Sequence, residues 1–341
     1  MTRLLQAMAG ATHGGAEAFF ERFAPALNRA GVEQRVVIRR DSGRAARLRA
    51  AGIEPVQLRF GGRLDFATSR ALRRQVRAFD PDIVLGWMSR GARFCPRGRH
   101  VLAARLGGYY DLKYFRHCDH LIGNTRDIAD YLVKAGWPAE RTHYLPNFVD
   151  GAPSPAADRS ALDTPADAPL LLALGRLHTN KAFDVLIASL AALPAAWLWI
   201  AGEGPLRAEL EAQAQALGVD GRLRFLGWRH DMPALLAAAD ILVCSSRHEP
   251  LGNVVIEGWA HDRPVVATRS AGPAALIADG STGLLVDIDD PSGLSAALAR
   301  VLESADLRAG LVAGGRAAYE AEFTEAAVVA RYLDFFDRIR A

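Results

Sequence analysis

Short apolar runs alternate with segments of helical length along nearly the whole chain, and that rhythm leaves few folds open. Strands separated by helices pair side by side as a parallel sheet, because a parallel pair needs a crossover long enough to hold a helix. In the first half the pattern predicts strands near 3–8, 33–39, 55–60, 82–87, 100–106, 120–124 and 142–145. Helices are predicted near 15–30, 66–78, 109–117 and 126–136. The second half repeats the pattern, with strands near 169–175, 196–201, 222–227, 240–245, 264–268 and 283–286. Its helices read near 182–193, 205–217, 231–239, 252–261, 273–278 and 291–303. Residues 151–168, rich in Pro, Ala and Asp, read as a connection between two domains. The expected class is α/β, with two doubly wound, Rossmann-like domains at 1–150 and 169–321. Ligands in such sheets bind beyond the carboxyl ends of the strands. A last amphipathic stretch, about 324–339, predicts a helix with one apolar face.

Composition narrows the setting. A length of 341 residues, half of them hydrophobic, suits two cores. Cys95, Cys118 and Cys244 show no metal-ligand spacing and cannot all pair, so a reducing, cytoplasmic location is expected. The opening MTRLLQAMAG reads as a first strand, its apolar run being too short for a signal peptide. Val185–Gly202 carries no charge, but Pro194 divides it into a helix and a strand, so no transmembrane span is expected.

The net charge of +3 hides an asymmetry. Residues 1–150 hold 25 Lys and Arg against 14 Asp and Glu, a net of +11, and the remainder nets −8. Arg70, Arg73, Arg74 and Arg77 share one helical face by spacing, and Arg39, Arg40, Arg44, Arg47 and Arg49 crowd another segment. Two readings stay open: solvated arginine on an Arg-rich chain, or a surface for anionic lipid or a phosphorylated acceptor. Nothing resembles a nucleic-acid-binding module, and no nucleic-acid partner is expected.

The chemistry concentrates at Glu249-Pro250-Leu251-Gly252-Asn253-Val254-Val255-Ile256-Glu257. The stretch follows an apolar strand and opens a helix. Its first amides form an anion site, and two carboxylates bracket it within reach of hydroxyls on a phosphate-bearing ligand. Gly175 and Arg176 follow a buried strand, with Lys181 soon after. Positive charge there suits a diphosphate leaving group. Gly202 and Gly204 follow the next strand and Trp228 the one after. Each admits a plainer reading: surface charges for Arg176 and Lys181, a helix-dipole carboxylate for Glu249, turn support for Asn253.

Taken together, Gly175-Arg176-x4-Lys181, Gly202-Glu203-Gly204-Pro205, Glu249-x7-Glu257, Pro264-Val265-Val266-Ala267-Thr268 and Gly14-Gly15-Ala16-Glu17 resemble the retaining, nucleotide-sugar-dependent glycosyltransferases of family 4, also called group 1. The likeness covers nearly the whole chain and is sharpest over 170–290. It implies the GT-B fold, with an interdomain cleft and a C-terminal helix, about 322–341, crossing back onto the N-terminal domain. It implies a donor, a UDP-sugar first, bound through Gly175, Gly202, Gly204, Trp228, Gly252, Asn253, Val254 and Glu257. Arg176 and Lys181 would hold the diphosphate, Glu249 a donor-sugar hydroxyl and Glu257 the ribose. Gly14 and Gly15 would form an acceptor or phosphate loop, with a tight turn as the equal alternative on sequence alone. The family is thought to attack from the leaving-group side, a phosphate oxygen assisting deprotonation.

One departure concerns the acceptor. Many members carry a His after the strand matching Val101–Leu106; here Arg105-Leu106-Gly107-Gly108-Tyr109-Tyr110-Asp111 stands instead. Asp111 is the nearest candidate to orient or deprotonate the acceptor, or it is a helix cap. His248 is a lesser donor-site candidate. Asp80-Pro81-Asp82 and Asp287-Ile288-Asp289 match a metal-binding Asp pair but read as turns. No metal site and no cofactor are expected. The reading is a metal-independent hexosyltransferase acting on an envelope glycolipid or saccharide, of lipopolysaccharide-core type, in the cytoplasm or peripheral to the inner face of its membrane. A sugar-nucleotide epimerase of the same fold and a non-catalytic nucleotide-sugar-binding protein are the alternatives.

Overall fold

A computed structural model of the chain describes residues 2–340 apart from His13 and Arg63. The chain divides into two compact units, Met1–Phe148 with Glu325–Ala341, and Val149–Thr324. Among the described residues of the first, β1 (Arg3–Met8), β2 (Glu33–Arg39), β3 (Val56–Leu58), β4 (Ile83–Trp87), β5 (Val101–Leu106), β6 (His120–Gly123) and β7 (Thr142–Tyr144) form one parallel sheet, ordered β3-β2-β1-β4-β5-β6-β7. The helices are α1 (Gly15–Arg29), α2 (Ser42–Ala50), α3 (Phe66–Phe79), α4 (Met88–Phe94) and α5 (Arg126–Lys134). α1 buries Phe19, Phe20 and Phe23 at helical spacing, and all three rings pack on Trp87. Each such ring contributes roughly 1.5–3 kcal/mol by leaving water.

Three segments differ from the expectation. The helix expected at 109–117 is only a 3-10 turn, Leu112–Tyr114, preceded by Gly107 and Gly108. α2 sits inside the arginine-rich segment, where Ala45 and Leu48 are its buried apolar residues. α4, absent from the expectation, is a short helix of about two turns that starts at Met88 in the left-handed region (φ 55).

In the second unit β8 (Leu170–Leu174), β9 (Trp197–Ala201), β10 (Leu223–Gly227), β11 (Ile241–Cys244), β12 (Val265–Thr268) and β13 (Leu284–Val286) are ordered β10-β9-β8-β11-β12-β13. Its helices are α6 (Phe183–Leu190), α7 (Arg207–Ala216), α8 (Met232–Ala238), α9 (Asn253–Ala260), α10 (Ala271–Leu276), α11 (Pro291–Glu303) and α12 (Ala305–Glu322). α12 has no counterpart in the sequence reading. Gly315 of α12 lies so close to the Trp259 ring that a Cβ would stand 2.3 Å from its Cδ1. Residues 151–168, read as a connection, pack on this unit. Arg159 donates to the Ala238 carbonyl, and Thr164 Oγ1 accepts from the Trp199 indole.

The chain ends in α13 (Glu325–Arg340), which belongs to the first unit. Tyr332, Phe335 and Phe336 are fully buried in that core. Arg105 secures them: its Nε donates to the Tyr332 hydroxyl at 2.8 Å, its Nη2 to Asn147, and its guanidinium faces the Phe19 and Trp87 rings. Among the described residues no helix is long and apolar enough to cross a membrane. In both sheets the strand order reverses between neighbours, at β1/β4 and at β8/β11, and loops leaving such a pair diverge to open a crevice.

Candidate active site

The β8/β11 crevice is built by glycines that bring backbones into contact. After β8 the chain turns at Gly175 (φ 143) and after β9 at Gly202 (φ 151). A Cβ on Gly202 would stand 1.8 Å from the Gly175 carbonyl oxygen, and one on Gly204 2.3 Å from that of Leu177. The two loops therefore nest only as glycines. Gly175 also makes way for the Lys181 stem, whose Cε would lie 2.8 Å from an added Cβ. That gives the glycine a steric reason to stand where the lysine stem passes. Lys181 closes a 3-10 turn and is followed by Ala182, buried and left-handed (φ 50). An alanine there costs roughly 1–2 kcal/mol of local strain. The Lys181 carbonyl accepts from Ser245 Oγ at 2.9 Å, tying this loop to the end of β11.

From the β11 side comes Glu249. Its Oε2 meets Lys181 Nζ at 2.5 Å and its Oε1 accepts from the Gly252 amide at 3.3 Å. Both side chains are largely buried. Burial alone would lower the Lys181 pKa, but the Glu249 charge, with help from Glu257, carries it above its ordinary value. Lys181 is thus an ammonium at neutral pH. Glu249 is placed by its neighbours: its carbonyl accepts from Gly272, and Arg247 is clamped between Asp184 at 2.6 Å and Asp289 at 2.5 Å. Gly252 (φ 67) then caps α9 without a side-chain bond. Among the described residues the amides of Leu251 and Val254 have no acceptor, so the start of α9 offers donors and a positive dipole end. Asn253 opens the helix and Glu257 stands half-buried a turn further on.

Arg176 is exposed and makes no ion pair among the described residues. Trp228, just past β10, is 57% exposed. His248 is exposed, and its amide holds the Asn180 carbonyl. In this crevice, then, a buried cation, two carboxylates and open amides converge. That set can bind a phosphate-bearing ligand and hydrogen-bond its hydroxyls at once.

In the first unit Gly14 precedes α1 in extended conformation and Gly15 begins it; His13 lies outside the described residues. The glycines make room for Glu17, a buried carboxylate that folds back to accept from the Ala11 amide at 2.8 Å. A Cβ on Gly14 would fall 2.3 Å from Glu17 Oε2, and one on Gly10 2.1 Å from its Oε1. Arg44, fully buried, braces the same loop through the Ala11 and Thr12 carbonyls and pairs with Glu21. Nearby, the Asn124 Oδ1 is buried without a partner. Asp111 is exposed and caps the Lys113 amide while pairing with its ammonium at 2.6 Å; those bonds hold its carboxyl below the usual range. Asp82 is bound to the Arg3 amide, Asp289 to Arg247, and Asp287 lies 3.8 Å from Arg269.

The model for glycosyl transferases group 1 matches residues 168–304, and that for glycosyltransferase family 4 matches 13–152. The lipopolysaccharide core biosynthesis glycosyltransferase LpsE of Rhizobium meliloti is 38% identical over 328 residues, 94% of this chain and 95% of its own length. This chain belongs to the group 1, family 4 glycosyltransferases. A second Rhizobium meliloti family member, the lipopolysaccharide core biosynthesis glycosyltransferase LpsD, is 37% identical over 96% of each chain. Among solved structures, Anabaena HepE in complex with UDP and glucose superposes with a TM-score of 0.85 at 21% identity, over 99% of this chain and 100% of its own. The fold of this glycosyltransferase is GT-B.

Four residues that shape the candidate site were not singled out for that role by the sequence reading. Ala182 and Arg247 act on the geometry of Lys181 and Glu249, and Glu17 and Arg44 shape the Gly14 loop. Glu17 carried a signal, its place two residues after the glycine pair, and Arg44 stood in the arginine-crowded segment, where the structure buries and pairs it.

Proposed function

We propose that this glycosyltransferase moves a hexose from a nucleotide-diphospho-sugar, a UDP-sugar first, to a saccharide or glycolipid acceptor of the lipopolysaccharide core, with retention and without a metal ion. The observation that carries the donor half is the Lys181–Glu249 pair beside the open amides of α9. The names of LpsE and LpsD support the acceptor class, and the UDP in the HepE complex supports the base.

In this reading Lys181 and Arg176 neutralise the charge that grows on the diphosphate as the anomeric C–O bond breaks. The α9 amides add donors at the same oxygens. Glu249 uses two of its lone pairs internally and has others for a donor-sugar hydroxyl. Glu257 takes the ribose diol. The new bond forms to the acceptor oxygen, and its proton passes to the departing phosphate. Gly175, Gly202, Gly204, Gly252, Asn253, Val254 and Trp228 line the nucleotide-sugar. Gly14 and Gly15 face the acceptor. The basic first domain makes peripheral contact with anionic membrane. Asp111, already a cap and an ion-pair partner, has a weaker claim on the acceptor proton than a donor phosphate oxygen.

A panel of UDP-, GDP- and ADP-sugars, each with truncated lipopolysaccharide cores, tests the reading. Product formation only with donor and acceptor together, and an anomeric configuration equal to the donor's, is the expected result. Donor turnover without acceptor, or an inverted product, refutes it.

A further inference from the structure

Leu64 and Phe66, at 83% and 73% exposure, stand out of the water-facing surface of the first domain. Exposed apolar surface, where it is contiguous, marks protein or membrane contact sites. Their display is built rather than loose. Asp65 between them accepts from the Gly61 amide (2.7 Å), the Thr68 amide (3.0 Å) and Thr68 Oγ1 (2.7 Å). The Asp65 amide in turn donates to the Gly62 carbonyl, and Phe60 anchors the other end, buried in the left-handed region. The turn is thereby closed on polar atoms and both apolar side chains are left outside it.

α3 starts at this turn and contains no acidic residue. Its buried face is Leu72, Val76 and Phe79; Arg70, Arg73, Arg74 and Arg77 are exposed and have no ion pair among the described residues. Some arginines elsewhere in the domain find carboxylates, as in Arg3–Glu33, Arg47–Glu21 and Arg49–Glu54, whereas α3 itself offers none to its row. At the far end of the helix Arg73 and Arg77 join Arg97, Arg99 and His100 around a cavity of about 650 Å³ that holds one carboxylate, Asp80. A 14-residue helix spans roughly 20 Å, so the apolar turn and the basic cavity mark the two ends of one face.

We propose that this face docks the protein on an anionic lipid bilayer: Leu64 and Phe66 enter the interface, and the arginine row with its cavity takes lipid phosphates. Charge complementarity selects the occupant, and the apolar turn distinguishes a bilayer from a soluble polyanion. The inference names the surface behind the membrane contact in the proposed function and is independent of the donor chemistry.

Co-sedimentation with phosphatidylcholine vesicles, with and without phosphatidylglycerol, at low and high salt, tests it. The wild type should bind the anionic vesicles, and salt should weaken but not abolish that binding. Arg73→Glu/Arg77→Glu should remove the preference for anionic lipid. Leu64→Ser/Phe66→Ser should keep the preference, lower binding roughly tenfold and remove the salt-resistant part. An unchanged unfolding midpoint in each variant reports an intact fold whatever the donor proves to be. Equal binding to neutral and anionic vesicles, wild-type behaviour in either variant, or tighter binding to RNA than to anionic vesicles overturns the proposal.

Discussion

Replacing Lys181 by Met keeps most of the side-chain volume and removes only the charge. Glu249 is then left largely buried, with the Gly252 amide at 3.3 Å as its remaining donor. A charge-assisted hydrogen bond is worth about 1.5–3 kcal/mol, and a buried charge stripped of its partner costs about 3–5 kcal/mol. The surviving amide contact puts the loss near the lower range, about 2–3 kcal/mol. For a domain of this size each kcal/mol moves the midpoint by about 2–4 °C, so Lys181→Met should lower Tm by roughly 5–10 °C. Adding Glu249→Gln removes the stranded charge, and the double variant should regain stability over the single one, with a coupling above about 1 kcal/mol. The Lys181 pKa is raised above 10.5, so the ammonium's contribution is complete below that value and fades only as pH climbs through the higher folded value. The gap between wild type and Lys181→Met should therefore stay constant from pH 7 to 9. Calorimetric or fluorescence melting across that range measures all of this. A Lys181→Met midpoint within about 1 °C of wild type, or a double variant less stable than the single, refutes the buried-pair argument.

Three further outcomes are expected. Glu257→Gln should weaken UDP binding, while Glu249→Gln should harm turnover more than UDP affinity, as isothermal titration and initial rates will separate. Transferase activity should survive excess chelator; loss that Mg²⁺ or Mn²⁺ restores would redirect attention to Asp287 and Asp289. His143, packed against Phe335 and 3.0 Å from His120, is pushed down to about 4 by burial first and by the neighbouring His120 and Arg338 charges. Below about pH 6.5 the unfolded chain takes a proton the native ring refuses, so the first domain should lose stability between pH 6.5 and 4. A His143→Phe variant with the same acid slope would contradict that cause.

Much of this was legible from the chain itself. Strands of a parallel sheet are buried on both faces and read as continuous apolar runs, so β8 and β11 were located to within a residue or two. Helices whose buried face is small or sparse were not. α12 depends on Gly315 to reach Trp259, and α2 hides Ala45 and Leu48 among arginines. Lys181 and Glu249 were each visible by motif, but their pairing spans 68 residues and joins two loops, where no periodicity encodes a contact. Ala182 was invisible for the opposite reason, since alanine is a residue that left-handed backbone disfavours.

The return of α13 to the first domain inverts the order of synthesis and folding. Domains commonly fold as they leave the ribosome, the N-terminal one first. Here the Phe23 ring waits for Tyr332, and the bond from Arg105 to that tyrosine spans 227 residues. While the second domain is being translated, the first has Phe19, Phe23 and a buried-to-be guanidinium facing an unfilled groove. A chain stopped anywhere before α13 therefore carries a first unit that lacks the helix its aromatic core is built around.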